Sequence, residues 1–312
     1  MSAPARPPGG SAPSHGEDVA QRQEGSPISV PARPPGGGAP LSPTLLIDAG
    51  NTRVKLGWRT GGPALREPQQ TGFRHEELPE ALPRWLAASG LRPRVALGSN
   101  VAGARIEQLI GELLEQAGCD VHWIRASRRL LGVTNGYRHP ERLGADRWLS
   151  LVGIWQGWRR AAPPEAPAPV HVLAHFGTAT TVDTLDAAGR FAGGLILPGR
   201  DLMRQSLAAG TAGLPRASGQ ITPFPDNTGD AIMSGIAAAQ AGAVVRQWLA
   251  ARERYRQEPL LVASGGAWTA IADEVAHLMH AAGSTRQVQV VDNPVLDGLA
   301  CLAESGIVPA SS

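Results

Sequence analysis

The stretch IDAGNTRVK, residues 47–55, sets a carboxylate, a glycine turn, an amide, a hydroxyl and the chain's sole lysine side by side. Of the 29 Lys and Arg residues, the other 28 are arginine. Exchange of lysine for arginine is harmless at solvated positions and harmful where a compact, strongly hydrated point charge must fit a narrow polar site. Lys55 therefore either answers a local requirement or is simply the lysine left over by an arginine-rich composition. Asp48, closing an apolar run, is placed to hold Mg²⁺ directly or through water. Gly50 lets backbone N–H groups approach an anion, and Asn51 and Thr52 add short donors. Lys55, on the outgoing strand, can reach back to phosphates as a point charge. The pattern of apolar strand, glycine turn and second strand recurs at AHFGTATTVD, residues 174–183, with Gly177-Thr178-Ala179 at the tip. One such turn is an ordinary hairpin tip. Two of them opening two halves, one with the lone lysine, point to a phosphate clamp. No G-x-x-x-x-G-K-[ST] motif is present, so this is not a Walker P-loop.

Phosphoryl transfer asks little covalent chemistry of a protein: it needs positioning, charge stabilisation and a group to take the acceptor's proton. Residues 144–147, Gly144-Ala145-Asp146-Arg147, open a tryptophan-rich helix. Asp146 there is a carboxylate at a helix N-terminus, and Arg147 beside it can bind an anionic group. From these residues alone the pair reads equally as a first-turn acid and a surface arginine. Gly265-Gly266, between a strand and a helix, is either a close backbone approach to an adenine or ribose or a plain turn. His171 and His175 share a strand face without a third metal ligand, and His277 and His280 fall on a solvated helix face.

The elements that must position these groups follow from periodicity. Residues 45–47 form a buried strand, and Val54, Leu56 and Trp58 alternate on the outgoing one. A helix is expected over 76–89, a strand over 94–98, an amphipathic helix over 104–117 (Ile106, Leu109, Ile110, Leu113, Leu114), a strand over 121–124 and the tryptophan helix over 145–160. After a Pro/Ala linker at 161–169 come three strands, a helix over 228–253, a strand at 260–264, a helix, a strand at 287–291 and a last helix from about 295. Residues 1–43 hold ten of the 27 prolines and a near-repeat, PARPPGGSAP and PARPPGGGAP. Such a segment has too few apolar side chains to offset its ordering entropy and reads as a disordered tail. The division is a tail at 1–43 and two related α/β halves at 44–165 and 166–312, clamping a nucleotide between them. A net charge of +2 without a basic run excludes nucleic acid as first partner. Cys119 and Cys301 lack metal-ligand spacing, and no apolar run approaches a membrane span. A cytoplasmic protein is expected. Small residues along one face of the 228–253 helix (Ala231, Ser234, Gly235, Ala238, Ala239, Gly242) permit close helix packing, either within the molecule or between copies.

With IDAGNTRVK, NGYRHPERLGADRW, FGTATTVD, GGLILPG, GTAGLP and NTGDAIMSG in view, the sequence closely resembles the type III pantothenate kinases over about residues 45–303. The resemblance implies an actin-like ATPase (acetate and sugar kinase/Hsc70/actin) fold, of two ribonuclease-H-like halves around a nucleotide cleft. It implies a homodimer and ATP-dependent phosphorylation of pantothenate. By resemblance, Asp48, Ala49, Gly50, Asn51, Thr52, Arg53, Val54 and Lys55 form the first ATP-phosphate loop, and Thr178 is its counterpart in the second half. Tyr137, Gly144, Ala145, Asp146, Arg147 and Thr211 form the pantothenate site, with Asp146 as proton acceptor and Arg147 on the carboxylate. The family carries an acidic residue two positions before the second-loop glycine, linked to a monovalent cation such as K⁺ or ammonium; here His175 stands there. A histidine cannot replace a carboxylate as a hard oxygen ligand. This departure leaves three readings open: the enzyme works without the cation, another group supplies the charge, or activity is impaired. Beside the kinase stand two alternatives, a catalytically impaired accessory protein on the same fold and a sister kinase for another small hydroxy acid.

Overall fold

A computed structural model describes residues 28–29, 42–211 and 218–308. The rest of the proline-rich segment and residues 212–217, which hold the last four residues of the GTAGLP stretch and the two after it, lie outside the described residues. A short strand, β1 (Ile28–Ser29), pairs antiparallel with the last strand of the chain.

The apolar run after residue 44 becomes β2 (Thr44–Ala49), which returns as β3 (Arg53–Arg59) in an antiparallel hairpin; β4 (Thr71–Arg74) adds antiparallel to β3. Beyond α1 (Leu78–Ser89), β5 (Val95–Asn100) joins parallel to β2. Beyond α2 (Ala104–Gln116), β6 (Asp120–Trp123) joins parallel to β5. The 3.6-residue period put Ile106, Ile110 and Leu114 on the buried face of α2, as observed. The first sheet thus runs β4-β3-β2-β5-β6.

Two short strands, β7 (Arg129–Leu130) and β8 (Val133–Asn135), precede α3 (Ala145–Ala161). The second sheet is built like the first: β9 (His171–Phe176) and β10 (Ala179–Leu185) form its hairpin, and β11 (Arg190–Pro198) adds antiparallel to β10. After α4 (Arg200–Gly210) and α5 (Thr228–Tyr255), β12 (Leu260–Ser264) joins parallel to β9. After α6 (Ala272–Ala281), β13 (Gln289–Val290) joins parallel to β12. Then come α7 (Pro294–Ser305) and β14 (Ile307–Val308). The order β11-β10-β9-β12-β13 repeats that of the first sheet. This duplicated hairpin-plus-parallel arrangement is the actin-like ATPase fold.

The elements cross the division at 165/166 expected from the sequence. β8 pairs parallel with β11 and β7 with β8, so the second sheet takes strands from the first half. The last helix packs back against α3 and the first sheet. The cause is apolar: Leu130, Val133, Trp148, Leu149, Val152, Phe191, Leu296 and Leu299 share one core between the two sheets. Gly153 and Gly298 let α3 and α7 approach backbone to backbone, since a Cβ on Gly298 would collide with the Leu149 carbonyl. Separate cores lie beneath α1 and α2 and beneath α5 and α6. Helix α4 has no counterpart among the elements expected from periodicity.

Candidate active site

The two hairpins end in matching tips. In each, the glycine N–H donates back across the turn: Gly50 to the Arg53 carbonyl and Gly177 to the Ala179 carbonyl, both at 3.1 Å. His75 Nε2 lies 2.9 Å from the Gly50 carbonyl oxygen and secures the first tip from outside. The tips meet: Thr52 Oγ1 and Thr178 Oγ1 are 2.8 Å apart and hydrogen-bonded. Directly behind each tip stands a cross-strand pair, Asp48 opposite Lys55 in one and His175 opposite Thr181 in the other. All four face a cavity of about 330 Å³ between the sheets.

Helix α3 closes the far wall. Asp146 sits in its first turn, where the Arg147 backbone N–H donates to Oδ1 at 2.7 Å. Asp146 and Arg147 line the same cavity as the two tips. The Arg147 side chain is buried rather than a surface group, with its Nε and Nη2 forked onto Asp183 at 3.1 and 2.5 Å. Its Nη1 donates to Tyr137 Oη at 3.1 Å. The guanidinium lies 5.8 and 5.7 Å from the Tyr137 and Phe191 ring centres.

Three carboxylates, Asp48, Asp146 and Asp183, and three cations, Arg53, Lys55 and Arg147, line the cavity. Burial pushes the Asp48 carboxyl up to about 6; Lys55, whose Nζ is 3.9 Å away, and Asn293 pull it down, while Asp146 pushes it higher. Burial raises Asp146 as well, against the N–H of Arg147. Burial opposes the Arg147 charge, and the fork to Asp183 more than restores it. His175 is pushed down to about 4 by burial and then by Lys55, so at neutral pH it is an uncharged imidazole.

Two glycine-tipped hairpins thus face a helix-borne carboxylate across one cavity, and similarity to known proteins gives this chain a family. The sequence profile of type III pantothenate kinase matches residues 44–250, well over half of the chain. The chain belongs to this family. It is similar to the type III pantothenate kinase of Bordetella pertussis, 48% identical over 268 residues, covering 84% of this chain and 98% of that one. The type III pantothenate kinase of an Azoarcus species is 44% identical over 263 residues, covering 83% and 90%. Among solved structures, a conserved Baf-family protein from Campylobacter jejuni superposes with a TM-score of 0.50 at 16% identity, covering 84% and 98%, a likeness of fold alone.

Within this member of the family, Asp48, Gly50, Asn51, Thr52, Arg53, Lys55, Asp146, Arg147, His175 and Thr178 come together around the cavity. Ala49 and Val54 do not: both side chains are fully buried in the first core, so only their backbone borders the tip. Gly144 and Ala145 serve as cap and first turn of α3, and Tyr137 stands behind Arg147. Thr211 lies apart, capping α4 with its hydroxyl on the Leu207 carbonyl at 2.7 Å. Gly266 lines the cavity, whereas Gly265 takes a positive φ of 100° where its backbone meets Phe176. Sequence reading passed over Ser150, Thr181 and Asp183, which also line it. The available signal was alternation: Thr181 and Asp183 share a face of β10, opposite His175 and Leu173 of β9.

Proposed function

We propose that the chain transfers the γ-phosphoryl group of ATP to the primary alcohol of pantothenate, giving 4'-phosphopantothenate, the first step of coenzyme A synthesis. The observation that carries this reading is that Asp146 faces the same cavity as both glycine tips. ATP phosphates lie along the tips, with Lys55 as the point charge and the Thr52 and Thr178 hydroxyls as donors. Arg53 flanks the first tip, and Gly266 approaches the nucleoside. Asp146 orients the alcohol and accepts its proton; a carboxyl raised by burial is better matched to that task at neutral pH than a solvated one. Arg147, steadied by Tyr137, offers donors to the pantothenate carboxylate, and Gly144 and Ala145 supply the backbone that sets the angle of Asp146.

Asp48 fits Mg²⁺: it is a buried oxygen donor on the cavity wall, with the Lys55 ammonium 3.9 Å away on one side. Such an ion neutralises charge on the phosphate oxygens. A monovalent cation, K⁺ or ammonium, does not fit at His175, whose uncharged ring nitrogen is no substitute for a hard oxygen ligand. We infer turnover without it.

A homodimer forms across α5. Ala231, Gly235, Ala238 and Ala239 of the small-residue face are exposed in the single chain. They adjoin an apolar groove of about 850 Å³ that includes Met203, Leu207 and Ile236. Phe224 stands 94% exposed nearby in the chain. Thr211 caps the helix that borders this groove, so a second copy is what would bring it to an acceptor. No helix among the described residues is long and apolar enough to cross a membrane, and a cytoplasmic enzyme is in keeping with that.

The test is ³¹P NMR of purified protein with Mg-ATP and pantothenate, with Asp146→Asn as control. Formation of 4'-phosphopantothenate that the variant cuts by about a hundredfold or more supports the reading; ATP binding without transfer would point instead to an accessory protein on the same fold, with His175 as the lesion.

A further inference from the structure

Asp183 is the most buried carboxylate on the cavity wall, 1% exposed, and takes no part in the steps above. It accepts from Arg147 Nε and Nη2, and Tyr137 Oη accepts from Nη1. A guanidinium has five N–H hydrogens. Three are therefore engaged, leaving one on Nη1 and one on Nη2, on a residue that lines the cavity. The surroundings are shaped around this fork. A Cβ on Gly194 would collide with Asp183 Oδ1 and stand 3.0 Å from Arg147 Nη2. Tyr137 and Phe191 flank the guanidinium, and their own rings lie 5.1 Å apart.

A buried ion pair is weak evidence for stability, because desolvation offsets most of the attraction. What a forked pair does supply is direction, since a planar guanidinium held along one edge cannot swing. Asp183 also cancels the Arg147 charge, so the two free N–H groups recognise an acceptor by their aim more than by net attraction.

We propose that Asp183 is a positioning residue for the acceptor: it fixes Arg147 so that the free N–H groups on Nη1 and Nη2 meet the carboxylate of pantothenate. This rests on the pantothenate kinase reading. It deepens that reading by making acceptor binding, and not nucleotide binding, depend on a residue that touches neither substrate.

The test is steady-state kinetics of Asp183→Asn, which keeps the shape of the side chain but cannot accept at both atoms. Wild-type turnover is established first, and its absence would indict the kinase reading instead. The expected result is a pantothenate KM raised about tenfold to a hundredfold, the loss typical of a misplaced orienting group, with the ATP KM within about twofold of wild type. An unchanged pantothenate KM, or an ATP KM that rises alongside it, overturns the proposal. Should the variant not fold, the wild-type Arg147 side-chain NMR signals decide. Pantothenate should shift the Nη signals and leave Nε held by Asp183; Nη signals that do not respond, or an Nε signal released on binding, would overturn it.

Discussion

The hairpins β2–β3 and β9–β10 occupy equivalent places in two sheets of the same strand order, and each tip is closed by its glycine N–H, onto the carbonyl three residues on in the first and two residues on in the second. Two residues before each glycine, the first has Asp48 and the second His175. Across the strand, Asp48 meets a charge, Lys55, and His175 meets a hydroxyl, Thr181. One backbone device thus carries two electrostatic designs. Beside its tip the first hairpin pairs the Lys55 ammonium with a carboxyl pushed up to about 6; the second has His175 there, pushed down to about 4 and uncharged around neutral pH, and carries a carboxylate deeper, at Asp183 on Arg147. The lesson is that similar backbone turns carry different charge: the first hairpin keeps it beside the tip, and the second uses it to fix a residue of α3.

The comparison breaks first at Asp48. Asp48→Asn should cut turnover by about 10²–10³-fold, the usual cost of removing a charge-stabilising group, whereas His175→Asn should change it only about twofold to threefold; equal losses in kinetic assays would erase the contrast. Next, Lys55→Arg should lower kcat/KM for ATP by more than about tenfold, because the wider guanidinium cannot take the place of an ammonium beside the tip. Near-wild-type values would show that Lys55 has no special fit. His175→Asp should put a carboxylate beside the second tip, where an uncharged ring now stands, and make turnover rise a few-fold on replacing Na⁺ with K⁺, a response absent from wild type.

A pH profile sharpens the contrast further. In the magnesium-free protein the Asp48 carboxyl should titrate through about pH 6 by NMR, and added Mg²⁺ should move that midpoint down. A metal-free midpoint near 4 would contradict the raised value. Stability depends on the same group: a carboxyl whose folded pKa exceeds its ordinary one favours the folded state when protonated, so its contribution is lost as pH rises from about 4 to about 6. Buried His171, pushed down to about 4 by burial against a smaller opposing effect of the Pro169 backbone, has the opposite sign. Its folded state favours the neutral ring, and stability falls as pH drops from 6.5 towards 4 by up to about 3 kcal/mol. The smallest effect on catalysis is expected here: His171→Leu should leave turnover at pH 7.5 unchanged while reducing the acid loss in denaturant melts between pH 7 and 4. A variant with undiminished acid loss would show that other groups control it.

The first hairpin was legible because its chemistry is local: strand, turn and lysine lie within a few residues. Asp146 was legible only as a first-turn acid, since nothing in the sequence says that α3 points at a cavity between two sheets. Arg147 reads as a surface residue until Asp183, 36 positions away, is brought beside it by β10. The strands β7 and β8 escaped notice because they are too short for alternation to register, and they are strands only through pairing with β11. Thr211 was read beside the acceptor by resemblance, whereas in the single chain it caps α4.

The most direct test is turnover of the purified chain with pantothenate and Mg-ATP, with K⁺, ammonium or Na⁺ as the only monovalent cation. The account predicts phosphorylation of pantothenate at a rate that does not depend on which cation is present. No turnover in any salt, with Mg-ATP still bound, would contradict it.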